Sequence, residues 1–119
     1  MTFTWVEHTG ELELRLEGGT AEEVFVAGAQ ALEELFSERT ETEPGGDAVV
    51  REIALNSRDR PTLLAEWLGE LAYLAEARLS ATVAGQIGPA PHLVKAVTYH
   101  RLEMREEDQA WRARAILDV

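Results

Sequence analysis

The chain has 119 residues, 45% of them hydrophobic, and its 22 acidic and 11 basic side chains give a formal net charge of −11. This length fits one domain over residues 1–119 and is too short for two cores. No apolar run approaches the roughly 20 residues of a membrane span, no segment resembles a secretion signal, and the absence of cysteine excludes disulfides and thiolate chemistry. We therefore expect a cytoplasmic protein that does not contact membranes.

The first half of the chain predicts two strands and a helix. Residues 3–7 indicate a short strand, and residues 11–17 alternate leucine with charged residues, a pattern typical of a strand with one wet face. A Thr-x-x-Glu capping box at residues 20–23 precedes apolar residues at helical spacing, which predict a helix to about Ser37. A polar loop over residues 38–47 follows.

The second half adds a further helix and more strands. Ser57 and Asp59 are alternative N-caps of this helix, and Pro61 is tolerated in its first turn. The whole pattern predicts an α+β fold, with two helices packed on a mixed or antiparallel sheet. The remaining segments are strands over 49–55 and, more weakly, 79–83, a loop over 85–91, and strands over 94–104 and 109–119 that form a hairpin around residues 106–108.

The negative charge is concentrated in the first part of the chain. Residues 1–47 contain 12 acidic residues but only Arg15 and Arg39, whereas the remaining 72 residues carry 10 acidic and 9 basic ones. Such a surface repels phosphate backbones, so we expect no direct binding of nucleic acid. The acidity either serves solubility or attracts a basic protein, and composition leaves both interpretations open.

The last strand carries a candidate cation ligand. Its alternation places one set of residues, including Ala115 and Leu117, on one face and Asp118 on the other. Asp118 thus lies beside the α-carboxylate of Val119, at the tip of an anchored strand. A terminus held in a sheet does not fray. This arrangement suggests a site for a cation.

Two more carboxylates lie at the ends of predicted elements. Glu11 follows the turn after His8, and Asp59 begins the second helix. Together with Asp118 and Val119 they would suit a hard cation such as Ca²⁺ or Mg²⁺, which prefers oxygen ligands. Asp59 has a rival interpretation as a helix cap, and Glu11 as the first polar residue of an alternating strand.

Motifs of known catalytic and nucleotide sites are missing from the sequence. It has no phosphate-binding G-x-x-x-x-G-K-[ST], no G-x-G-x-x-G and no G-x-S-x-G. Gly18-Gly19-Thr20 before a helix favours a turn and cap over a phosphate cradle, because no lysine follows. We expect no nucleotide bound by this chain alone and no enzymatic activity. His8, Lys95 and His100 are either structural or contact a partner.

Several motifs together resemble the archease family. Residues 7–11, Glu-His-Thr-Gly-Glu, resemble its opening His-Thr-Ala-Asp motif, and residues 57–71 resemble its Leu-Leu…Trp-Leu-Asn-Glu-Leu helix. Lys95-Ala-Val-Thr-Tyr-His100 and Ile116-Leu117-Asp118-Val119 resemble its closing motifs. The family's aspartate, alanine and asparagine are replaced here by Glu11, Gly10 and Gly69.

The resemblance implies a small α+β protein that assists an RtcB-type RNA ligase, an enzyme that joins RNA ends in tRNA splicing and repair with GTP and divalent metal. It implies an activator that promotes ligase guanylylation and multiple turnover. The family's metal-binding carboxylates correspond to Glu11 and Asp118, with Asp59 as a possible neighbour. The alternative is a metal-independent acidic protein-binding or chaperone-like module.

Overall fold

A computed structural model describes residues 1–40, 52–83 and 94–119. All strand pairings in these parts are antiparallel, and the strands lie in the order β1-β2-β4-β3. The predicted α+β fold with two helices on a sheet is confirmed. The elements are β1 (Thr2–His8), β2 (Glu11–Gly18), α1 (Ala21–Thr40), α2 (Arg60–Val83), β3 (Ala96–Glu107) and β4 (Ala110–Asp118).

Two tight turns build the sheet from hairpins. β1 and β2 pair from His8 opposite Glu11, and Gly10 in the turn between them has a φ of 74°, a left-handed conformation that favours glycine. β3 and β4 join through Asp108 and Gln109, with φ of 52° and 63°. Two consecutive left-handed residues match the twist of a two-residue hairpin. The hairpin predicted for the last two strands is confirmed, but its turn begins later than residues 106–108 suggested.

The core lies between one face of the sheet, here called the inner face, and both helices. The alternating leucines of β2 point into it, as their spacing predicts. Gly28 of α1 allows close packing, because a Cβ there would lie 2.9 Å from Leu68 Cδ2 of α2. Trp67 Nε1 also donates to the carbonyl of Phe25 at 2.9 Å, which ties the helices together. The apolar stripe predicted for the first helix is therefore confirmed, with Val24, Ala27, Ala31, Leu32, Leu35 and Phe36 buried, and Leu64 and Leu68 of α2 are buried in the same core.

The two middle strand predictions are wrong where the structure describes them. Residues 79–83 belong to α2, and Leu79 follows Ala75 by four residues, so the helical spacing simply continues. Residues 52–55 form no strand, since apolar alternation alone does not make a strand without a neighbour to pair with. Residues 38–40, predicted as loop, extend α1. Residues 41–51 and the predicted loop 85–91 lie outside the described residues.

Neither of the described helices is long and apolar enough to cross a membrane. The second face of the sheet, here called the outer face, carries neither α1 nor α2. It presents the even-numbered residues of β4 and the odd-numbered residues of β2, as the pairing register of the two strands shows. This face holds the candidate site.

Candidate functional site

Glu11 and Asp118 lie directly opposite each other in the β2–β4 ladder. Both belong to the outer face, where directly opposed Cβ atoms are about 4.5–5.5 Å apart. On its other side Asp118 pairs with Ala96 of β3. The structure thus brings together two of the carboxylates that the sequence selected, at one end of the sheet.

Backbone hydrogen bonds hold this end of the sheet on both sides. The amide of Lys95 donates to the carbonyl of Asp118 at 2.8 Å, and the amide of Val119 donates to the carbonyl of Gly10 at 3.2 Å. Val119 is half-buried and packs against the core. These hydrogen bonds, together with the pairing of β4 with β2 and β3, fix the backbone of Asp118. The point from which its carboxylate side chain projects is therefore fixed as well.

The carboxylate pair suits a hard cation that keeps several water ligands better than a cation that is surrounded by protein ligands. Like charges directly opposite in a sheet repel each other, and a divalent ion between Glu11 and Asp118 would remove that repulsion. Within the described residues, no three histidine, cysteine or acidic side chains are grouped to hold a metal ion. Mg²⁺ is commonly bound by one or two carboxylates with its remaining waters, whereas Ca²⁺ takes six to eight oxygen ligands. Counted alone, Glu11 and Asp118 form a donor set of the size that Mg²⁺ uses, and the α-carboxylate of Val119, next along the chain, would add a third oxygen group.

Asp59 serves as the N-cap of α2 and is not grouped with the pair. Its Oδ1 accepts the amide of Thr62 at 2.8 Å, and its carbonyl accepts the amide of Leu63 at 3.0 Å. The hydroxyl and amide of Thr62 lower the pKa of Asp59, and Arg58 adds to this effect. The cap interpretation thus explains this residue without a metal.

Of the three residues considered for partner contact, only His8 shares a face of the sheet with the pair, and Lys95 adjoins the same end of the sheet through its backbone. His8 is opposite Glu11 in the β1–β2 ladder. Lys95 is exposed directly before β3, and His100 is exposed within β3. Their exposure leaves them available to a partner.

Glu13 is a buried carboxylate that the sequence did not reveal as special. Its alternation with leucines predicts a solvated position, yet its side chain is 1% exposed and lies on the outer face, opposite Ile116. Arg15 Nε donates to Oε2 at 2.6 Å, and Arg101 Nη1 and His8 Nε2 lie 3.5 Å and 3.9 Å from Oε1. The available signals were two apolar residues, Val6 and Ile116, which flank Glu13 on the outer face.

The electrostatics of Glu13 reflect two opposing effects. Burial raises the pKa of a carboxyl group, but the hydrogen bond from Arg15 and the charges of Arg15, Arg101 and Arg114 outweigh it and lower the pKa of Glu13 below 4.5. The residue is therefore a charged anchor at neutral pH. It is unavailable as a proton donor there.

The other end of the outer face is basic. A shallow groove of about 410 Å³ is lined there by Arg15, Arg105, Arg112 and Arg114, together with Thr2, Thr4, Glu17 and Glu103. Arg114 Nη2 donates to Glu103 Oε2 at 2.9 Å, and Arg105 Nε lies 2.9 Å from Glu103 Oε1. The face thus runs from an acidic end at Glu11 and Asp118 to a basic end in which several arginines are already paired.

Comparison with known proteins gives one consistent match. The sequence model of the archease protein family matches residues 3–119. A protein named archease from Methanosarcina mazei is 30% identical, with 98% of this chain and 95% of the relative covered. Another from Methanopyrus kandleri is 27% identical over the whole of both chains.

A solved structure agrees with the sequence matches. The solution structure of protein 1598 from Methanobacterium thermoautotrophicum superposes with a TM-score of 0.66 at 25% identity, covering 98% of both chains. The similarity in fold and in sequence therefore extends over the same, nearly complete length. The carboxylate pair and the paired end of β4 fall within the matched region.

Proposed function

Because the chain belongs to the archease family, we propose that it is a non-catalytic activator of an RtcB-type, GTP-dependent RNA ligase, the kind of enzyme that acts in tRNA splicing and repair. In this proposal it promotes guanylylation of the ligase and allows each ligase molecule to turn over many times. The ligase performs the chemistry, and this chain works beside it in the cytoplasm.

The observation that carries the proposal is the opposition of Glu11 and Asp118 across β2 and β4. These are the two positions where the family resemblance places metal-binding carboxylates. This pair of like charges lies at an end of the sheet that backbone hydrogen bonds hold on both sides. A partner that brings a divalent cation to this end would relieve the repulsion, which couples docking to metal binding.

Glu11 and Asp118 would hold the ion, with water completing its coordination. A bound divalent cation would supply positive charge that neutralises phosphate oxygens during transfer of the guanylyl group. The residues of this chain contribute two anionic oxygen donors at a fixed spacing, and the backbone of Asp118 keeps its place through Lys95 and Gly10. The glutamate at position 11 reaches one methylene further than the family's aspartate, and glutamate oxygens also bind hard cations.

The test is RNA ligation by the cognate ligase at low enzyme and excess RNA, with and without this chain. The proposal expects many turnovers only when the chain is present; because the ligase itself uses divalent metal, variants of the carboxylate pair, not removal of metal, test the site. Asp118→Asn should abolish the effect, whereas Glu106→Gln, a matched change at an exposed acid of β3, should leave it intact. Stimulation that persists in Asp118→Asn would instead favour the metal-independent acidic module. Ligation unaffected by the wild-type chain would reject the activator role.

A further inference from the structure

A charged side chain buried on a sheet face without a described helix requires an explanation. Glu13 is the only polar or charged residue among the described residues that is buried. Its Oε2 is held by Arg15, but its Oε1 makes no hydrogen bond and lies at ion-pair distance from Arg101. Burial of an ion is unfavourable unless it is paired. The arginines around Glu13 thus explain how the sheet tolerates a buried carboxylate at this position.

Arg101 comes from the far edge of the sheet. Neighbouring strands are about 4.8 Å apart, and β4 lies between β3 and β2, so the side chain of Arg101 must cross β4 to approach Glu13. It crosses at the level of Ile116, which is 1% exposed. A side chain that spans β4 at this level would cover Ile116, in keeping with the burial of an isoleucine on this mainly polar face.

Arg101 lies in an irregular part of β3. Thr98 pairs with Ile116 and Glu103 with Arg114, so residues 99–102 face Ala115 alone. We call residues 99–102 the β3 bulge. Arg101 has a φ of 57°, which is unfavourable for a residue with a Cβ and persists only where surrounding contacts enforce it.

Two contacts hold the β3 bulge from the outer face. Arg114 Nε donates to the carbonyl of Arg101 at 3.0 Å, and Glu13 Oε1 faces the Arg101 guanidinium at 3.5 Å. One contact holds the backbone of the left-handed residue and the other holds its side chain. Together they define the path of the chain between Thr98 and Glu103.

The bulge presents exposed side chains three residues along β3 from the position paired with Asp118, a distance of about 10 Å at the usual rise of a strand. Tyr99 is 62% exposed, and the adjacent His100 is exposed as well. Ala96, directly opposite Asp118, precedes Tyr99 by only three residues. An exposed aromatic ring with a polar tip is a frequent anchor in protein interfaces.

We propose that Glu13 and Arg101 form a clasp that holds the β3 bulge, and that the held bulge is the docking surface through which Tyr99 and His100 meet the ligase beside Glu11 and Asp118. Glu13 and Arg101 are positioning residues in this scheme. The docking half of the proposal rests on the proposed function. The clasp itself is a property of the isolated chain.

The clasp is tested first by hydrogen–deuterium exchange of the purified chain. Glu13→Gln keeps the size of the side chain and removes its charge, and Arg101→Ala removes the other partner. Each change should speed exchange in the β3 bulge by about tenfold, because local opening governs exchange there. The double variant should exchange no faster than the faster single variant, since both remove one interaction. Arg105→Ala is the control, because Arg105 contacts Glu103 and Glu107 instead.

Unchanged exchange in the bulge of both single variants would overturn the clasp, as would fully additive effects in the double variant. If Glu13→Gln does not fold, Arg101→Ala, at a side chain 48% exposed, decides alone. Docking is tested by the concentration of this chain that gives half-maximal ligase stimulation. Arg101→Ala should raise that concentration several-fold while the maximal stimulation stays the same, and an unchanged value would overturn the docking role. If wild-type chain stimulates no ligase, the proposed function fails, and exchange still decides on the clasp.

Discussion

Glu11 and Asp118, which lie near opposite ends of the chain, are directly paired on adjacent strands of the sheet, with both carboxylates on its outer face. Antiparallel neighbours at this spacing interact strongly enough for like charges to destabilise the sheet. The pair therefore has a measurable signature that does not depend on any partner.

Asp118→Asn should raise the free energy of unfolding in the presence of a chelator, because it removes one of two opposed negative charges. The expected gain is about 0.2–1 kcal/mol, the range for cross-strand pairs. Urea denaturation in EDTA measures it. Glu106→Gln, which removes a charge without an opposed acid, should change stability less. A loss of stability in Asp118→Asn would show that its carboxylate has a favourable partner.

Magnesium should stabilise the wild-type chain and not the pair variants. An ion that binds only the folded state raises stability as its concentration increases, so the Tm of the wild type should climb with added Mg²⁺. Glu11→Gln and Asp118→Asn should each flatten that increase. Thermal unfolding across a magnesium titration provides the measurement, with Ca²⁺ in parallel. A rise of the same size in all three proteins would place the ion elsewhere.

Asp59→Asn separates the cap from a metal ligand. Asparagine is as good an N-cap as aspartate, so the variant should keep its Tm and its stimulation of the ligase. Asp59→Ala should lower the Tm by a few degrees, because the amide of Thr62 loses its acceptor. Loss of stimulation in a folded Asp59→Asn protein would instead assign Asp59 to the metal site.

The stability of the fold should decline in acid partly through Glu13. The pKa of Glu13 is lower in the folded state than its ordinary 4.5, so its stabilising contribution is present above that ordinary value and is lost as the pH falls through the lower folded pKa. Glu13→Gln should therefore be less stable than wild type near neutral pH, with a difference that shrinks in acid. Denaturant unfolding between about pH 3 and 7 measures it. A difference independent of pH would mean that the charge of Glu13 contributes nothing.

Gly10→Ala and Gly69→Ala form a matched pair with opposite expected signs. A Cβ at either position meets no atom within 4 Å, but Gly10 has a φ of +74° whereas Gly69 lies in α2. Gly10→Ala should destabilise the fold by roughly 1 kcal/mol because of its left-handed backbone. Gly69→Ala should stabilise it by up to about 1 kcal/mol through helix propensity. Urea denaturation of both variants tests these signs, and a neutral Gly10→Ala would show that the turn adjusts.

Hydrophobic periodicity predicted most of the secondary structure, because the buried face of each amphipathic element can be identified from the spacing of its own apolar residues. The alternation of β2, the faces of β4 and the stripes of both helices were all readable in this way. The prediction at residues 79–83 was wrong because a short apolar pattern at the end of a helix resembles a strand. The sequence also pointed to Glu11 and Asp118 by their places at the ends of elements and by family resemblance.

What only the tertiary structure decided was which elements became neighbours. The strand order puts β4 between β2 and β3, and that order alone sets Asp118 against Glu11 and leaves Asp59 with its cap. The same strand order allows Arg101 to reach over β4 to the buried Glu13. Arg101 lies in a bulge that no local sequence pattern predicts. Local sequence encodes which face of a strand is apolar, whereas the burial of a charge depends on long-range partners that can pair with it.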